Sequence, residues 1–155
     1  MVCLGNICRS PMAEAVAKEM AKEAGVANQV VIESFGTAGW HEGGRTDPAA
    51  DAALRRRGWP VGDHRARRIH PCDLEAADLV LCADRSNLEE VRRLAMGKID
   101  ANKIQLLRSY DPAARPGDDD IPDPWGCDAA QFDRSLQLIE AACRGLIGAL
   151  ARRSV

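Results

Sequence analysis

One run near the start, Cys3-Leu4-Gly5-Asn6-Ile7-Cys8-Arg9-Ser10-Pro11, constrains this chain more than any other stretch. A cysteine and an arginine bracket a short loop containing glycine, and a hydroxyl follows. Ser10 is a residue type that caps helices, and Pro11 suits a first helical position, so the loop should run straight into a helix. A helix N-terminus offers unpaired N–H groups and the positive end of the dipole to an anion. Gly5 and Asn6 both tolerate left-handed backbone, which lets successive N–H groups turn inward. Such a field favours the thiolate of a cysteine at its centre. The planar fork of Arg9 can hold two oxygens of a phosphoryl group together. The run reads as a covalent phosphoryl-transfer loop.

Composition narrows the rest. The chain has 155 residues, enough for one domain, residues 1–155, with a real core. A net charge of −2 argues against a general nucleic-acid binder. No apolar run is long enough to span a membrane, and no charged-then-apolar leader is seen. Six cysteines spread through expected helices and strands suggest a reduced, cytoplasmic protein rather than a disulfide scaffold, with secretion lacking a signal peptide left open. No second closely spaced ligand pair follows Cys3 and Cys8, so no metal site is expected.

Along the chain, a helix is expected from Pro11 to about Ala24, then a short strand at Val30–Ser34. A glycine-rich loop, Phe35–Gly44, carries Trp40. Asp47 should cap a helix reaching Arg57, and Leu79–Asp84 reads as a buried strand ending in a carboxylate. A helix over Arg85–Met96, a strand at Ile104–Leu107, a long loop from Pro112 to Trp125 and a final helix from Asp128 complete the pattern. Helices alternating with short apolar strands imply an α/β, helix–sheet–helix fold around a mainly parallel sheet. Sites in such sheets lie beyond the carboxyl ends of the strands. Only Met1 and Val2 precede Cys3, where a buried strand should stand. The expectation is a start internal to the natural reading frame, or a shortened chain, with the central strand largely missing and the sheet weakened.

The run Val2–Pro11, continued by Met12-Ala13-Glu14, resembles the signature of the low-molecular-weight protein tyrosine phosphatases. That resemblance implies a four-stranded sheet, no cofactor, and a phosphotyrosine-bearing protein or peptide as partner. It makes Cys3 the nucleophile and Arg9 the phosphoryl clamp, with Leu4, Gly5, Asn6, Ile7, Cys8 and Ser10 building the loop. Ile121-Pro122-Asp123-Pro124-Trp125 resembles the family's late acid segment, which makes Asp123 the general acid and base. Asp118, Asp119 and Asp120 are read as ordinary loop carboxylates. Ser10 would also hydrogen-bond the thiolate. Ser34, His64 and Asp84 match positions of the family's supporting network.

Trp40 and Trp125 are candidate pocket walls for a phenyl ring, each with a core-covering role as the alternative. Gly126 stands where the family commonly has a second aromatic. Some relatives that act on phosphoarginine carry threonine at the position of Ile7, so an apolar Ile7 favours phosphotyrosine. Cys8 is either a packing residue or a thiol able to trap an oxidised Cys3. Cys72, Cys127 and Cys143 are read as structural or incidental. Two rival functions stay open: an arsenate reductase of the same fold, which would need two relaying thiols, and a non-catalytic anion binder. The oligomeric state is not legible.

Overall fold

A computed structural model describes residues 1–153. Four short parallel strands form one sheet: β1 (Val2–Cys3), β2 (Phe35–Gly36), β3 (Val80–Cys82) and β4 (Ile104–Leu106), in the spatial order β2-β1-β3-β4. Five helices accompany it: α1 (Arg9–Glu23), α2 (Pro48–Arg56), α3 (Pro71–Ala76), α4 (Arg85–Ala95) and α5 (Ala129–Arg153).

The two faces of the sheet are covered by different helices, giving the expected three layers. On one side α1, α2 and α5 bury Met12, Val16, Leu54, Phe132, Leu136 and Ile139. On α5 the buried stripe runs from Phe132, Leu136 and Ile139 on to Cys143 and Leu146. On the other side Leu74 of α3 and Val91 and Ala95 of α4 meet Val2, Val80, Cys82 and Ile104. Successive residues of β3 point to opposite faces, so a fully apolar strand such as Val80-Leu81-Cys82 feeds both cores.

Three expectations are corrected. The strand after α1 is Phe35–Gly36, inside the segment expected as loop, and not Val30–Ser34. The β-branched run Val30-Val31-Ile32 lies outside any strand, and Val31 is 91% exposed. Pairing decides this: β1 is short, and its register places Phe35 and Gly36 opposite Val2 and Cys3. Second, helix α1 starts at Arg9, so Ser10 is not its cap and Pro11 is its third residue. Third, the six-residue helix α3, after His70, has no counterpart in the sequence reading.

The central strand is as short as expected. Met1 extends it only through its ammonium, which donates to the Glu33 carbonyl at 2.7 Å, and the Met1 carbonyl, which accepts from Phe35 N at 2.9 Å. Next to it, at the amino ends of the strands, lies an apolar cavity of about 620 Å³ lined by Met1, Val30, Ile32, Leu79, Val80 and Leu146 among others. At the opposite, carboxyl ends, β1 delivers Cys3 to the anion loop and β3 delivers Asp84 to the start of α4.

Candidate active site

The loop between β1 and α1 closes around the Cys3 sulfur. Asn6 N–H points at Sγ from 3.3 Å, and the Ser10 hydroxyl lies 3.0 Å from it. The inward turn of Ser10 explains why it is not a cap: its hydroxyl contacts Cys3 and donates to the Phe35 carbonyl at 3.2 Å. Asn6 is the residue that makes the turn, at φ 55°. Asparagine is one of the few side chains that enters this region readily. Gly5, expected to share that role, is not left-handed; its bare Cα instead accommodates the His41 ring, which a Cβ would meet at 2.9 Å.

Asn6 is fully buried and every polar atom of its side chain is used. Its amide nitrogen donates to Ser10 Oγ at 2.8 Å and Ser34 Oγ at 3.0 Å, and its amide oxygen accepts from Arg67 N at 2.9 Å. Its backbone carbonyl lies 2.7 Å from His64 Nε2. Four residues therefore converge on Asn6, which brings the expected Ser34 and His64 into place. The next link is Glu14, to which the sequence analysis gives no role of its own. Its carboxylate accepts from both Lys18 and the Ser34 hydroxyl. Burial opposes its charge, but those two hydrogen bonds prevail and hold it below the usual carboxylate range. Gly36 is a second missed determinant: a Cβ there would strike the Leu4 carbonyl at 2.8 Å and Asn6 N at 3.1 Å.

Arg9 is nearly completely buried and fixed between two carboxylates. Nη1 donates to Asp84 and to the Ile121 carbonyl (3.1 Å), and Nη2 donates to Asp123 Oδ2 at 2.8 Å. Its burial works against the charge, yet Asp123, the Asp84 hydrogen bond and Cys3 outweigh that and raise its pKa above the ordinary value. Nε is buried with no hydrogen-bond acceptor among the protein groups. Asp84 does two jobs, since its other oxygen accepts from Asn87 N at 2.7 Å and caps α4.

The long loop comes to this edge of the sheet, as it must if Asp123 is to act. Ile121 N donates to the Ala83 carbonyl at 2.8 Å, extending the end of β3, and Ser135 Oγ of α5 donates to the Pro122 carbonyl at 2.8 Å. Pro124, the residue after Asp123, is buried. Trp125 and Trp40 are 63% and 76% exposed, so neither covers core. Leu4 is also exposed at the rim, whereas Ile7 is half-buried. The third tryptophan, Trp59, packs on the core and donates to Glu140 at 2.6 Å.

Cys8 is buried, and burial together with Asp47, Asp123 and Cys3 pushes its thiol far above the ordinary range. Burial likewise pushes the Cys82 and Cys143 thiols up to about 12. Among the described residues no group of His, Cys, Asp and Glu side chains is arranged to hold a metal ion. No helix among them is long and apolar enough to cross a membrane.

A buried sulfur in an anion loop, a clamped arginine and a carboxylate reached through that arginine form a set suited to covalent phosphoryl transfer. Comparison with known proteins gives the same direction. Residues 1–155 match the family described as low molecular weight phosphotyrosine protein phosphatase. A low molecular weight protein-tyrosine-phosphatase of Streptomyces coelicolor is 46% identical over 149 residues, spanning 96% of this chain and 90% of the relative. The crystal structure of YfkJ from Bacillus subtilis superposes with a TM-score of 0.90 at 32% identity, covering 99% of this chain and 94% of that one. The structure of a Drosophila arginine phosphatase superposes at 0.83 with 28% identity, covering 96% and 94%. This chain belongs to the low-molecular-weight phosphotyrosine protein phosphatase family.

Proposed function

We propose that this protein-tyrosine phosphatase cleaves phosphotyrosine through a phosphocysteine formed on Cys3, with Arg9 as phosphoryl clamp and Asp123 as general acid and then base. The observation that carries the reading is the convergence on Arg9: the guanidinium that closes the Cys3 loop also holds the Asp123 carboxylate at 2.8 Å.

In the first step the Cys3 thiolate attacks phosphorus, the bond from phosphorus to the aryl oxygen breaks, and protonated Asp123 gives its proton to the departing phenolate. In the second, the Asp123 carboxylate takes a proton from water as the water oxygen attacks phosphorus. The P–S bond then breaks and releases inorganic phosphate and the thiolate. The Ser10 hydroxyl, 3.0 Å from Sγ, stabilises the sulfur as it leaves. Arg9 Nε and Nη2 supply donors to the equatorial oxygens, where charge is spread in the transition state, while Nη1 stays on Asp84 and the Ile121 carbonyl. For Arg9 Nη2 this means exchanging Asp123 for a phosphoryl oxygen.

Trp40 and Trp125 form the two walls for the phenyl ring, with Leu4 at the rim. Ile7 presents hydrocarbon to the bound ester, which favours the aryl phosphate over phosphoarginine. Hydrolysis of a phosphotyrosine peptide and of a phosphoarginine peptide by the same preparation tests this choice: tyrosine dephosphorylation is expected to dominate, and the reverse order would reject it. Cys3→Ser is expected to abolish hydrolysis of both.

A further inference from the structure

The segment carrying Asp123 belongs to an 18-residue stretch, Asp111–Asp128, without a helix or strand. A loop of that length orders its ends at an entropic cost, and general acid catalysis tolerates little displacement. Something must therefore hold it. Asp118, Asp119 and Asp120 look like ordinary loop carboxylates in the sequence, but Asp118 meets Arg108 while Asp119 and Asp120 both meet Arg85.

Asp118 Oδ1 lies 3.3 Å from Nη1 of Arg108. Arg108 is nearly completely buried in the 3₁₀ turn Leu107–Tyr110. Its Nη2 donates at 3.3 Å to Asp111, buried like itself, and its Nε has no acceptor among the protein groups. The fork thus neutralises one buried carboxylate with one nitrogen and reaches the loop with the other. Asp120 Oδ1 accepts from Arg85 N at 2.9 Å, at the first residue of α4. The Arg85 side chain donates to the Gly117 carbonyl at 3.0 Å and pairs with Asp119 at 3.5 Å. The residue before Arg85 is Asp84, which holds Arg9. One helix terminus therefore fixes both the clamp and the acid segment.

We propose that Asp118 and Asp120, through Arg108 and the N-terminus of α4, are positioning residues that hold the Asp123 segment over the Cys3 loop. The inference rests on the reading of Asp123 as the acid. A positioning role has a signature that a merely structural role lacks. Loss of acid catalysis is felt most by a basic leaving group, so phosphotyrosine, whose phenol has a pKa near 10, suffers more than p-nitrophenyl phosphate, whose phenol is more acidic.

The test is the pair Asp118→Ala and Asp120→Ala, separately and together, assayed as kcat/KM on a phosphotyrosine peptide and on p-nitrophenyl phosphate. These changes leave the Arg108–Asp111 pair intact, so the fold is retained, and a thermal melt checks it. The double variant is expected to lose about tenfold on phosphotyrosine, part of the roughly 10² or more that a general acid supplies, and clearly less on p-nitrophenyl phosphate. Inhibition by inorganic phosphate is expected to stay unchanged, and in an Asp123→Asn background the same substitutions are expected to add nothing. Equal loss on both esters, no loss on either, or a further loss in the Asp123→Asn background overturns the proposal. If Asp123→Asn itself leaves phosphotyrosine hydrolysis intact, the acid assignment falls and the strap with it. If Asp123→Asn is slow while the double variant matches wild type, only the strap falls.

Discussion

Arg9 Nη2 donates to Asp123 Oδ2 at 2.8 Å, joining the anion loop to a carboxylate 114 residues further along the chain. The acid of the proposed reaction thus neutralises the clamp. A phosphate ester has to take the place of Asp123 on that nitrogen, which leaves the carboxyl free to face the leaving oxygen.

Replacing Asp123 with asparagine should separate chemistry from binding. Hydrolysis of phosphotyrosine is expected to fall by about 10² to 10³. Inorganic phosphate should inhibit at least as well as in wild type, because a carboxylate that competes for Arg9 has been removed. Steady-state kinetics with phosphate as competitor reads both quantities.

Asn6 ties Ser10, Ser34, Arg67 and His64 to the loop, and it does so from left-handed backbone. Asn6→Ala removes three side-chain hydrogen bonds from a buried site and keeps the unfavourable φ. A loss of about 3 kcal/mol in urea unfolding is expected, with activity reduced in the protein that remains folded.

Glu14 gives a pH signature. Its folded pKa lies below the ordinary 4.5, so its stabilisation is complete above that pH and disappears as pH falls through the folded value. Wild type should therefore be more stable than Glu14→Gln at pH 7, and the gap should shrink steadily below about pH 4.5. A gap independent of pH in paired urea titrations would show that the charge of Glu14 is not what supports Ser34.

Stability and chemistry come apart at Glu140. This buried carboxylate of α5 accepts two hydrogen bonds from Arg57 and one from Trp59, clamping α2 to the last helix far from Cys3. Glu140→Ala is expected to cost about 1–3 kcal/mol by leaving those donors without their acceptor. Its kcat on p-nitrophenyl phosphate at a temperature well below the melt should match wild type.

Much of this was legible in the chain itself, and the failures have physical causes. The loop is contiguous, so its spacing suggests its chemistry, and the resemblance of Ile121–Trp125 to a family segment singled out Asp123 as the acid proposed here. Alternating apolar runs gave the layered α/β arrangement. The Val30–Ile32 run misled because β-propensity describes a residue's fit to a paired surface, while the pairing partner here is a two-residue strand that reaches only Phe35 and Gly36. Ser10 looked like a cap because capping is judged locally, and the contact that turns its hydroxyl inward comes from Cys3 and Phe35. Glu14, Arg108 and the anchored aspartates were missed for the same reason: their partners lie elsewhere in the chain. No local pattern distinguishes a strapping carboxylate from a solvated one.

The most direct test of the account is capture of the covalent intermediate. Asp123→Asn mixed with p-nitrophenyl phosphate should still release the acidic phenol, because that leaving group needs little protonation, and should then stall for want of a base to activate water. Acid quenching followed by peptide mass spectrometry is expected to find one added phosphoryl group on the peptide containing Cys3, and none in Cys3→Ser. A phosphoryl group on any other residue, or phenol release in a burst with no adduct on Cys3, would contradict the assignment of Cys3 and Asp123.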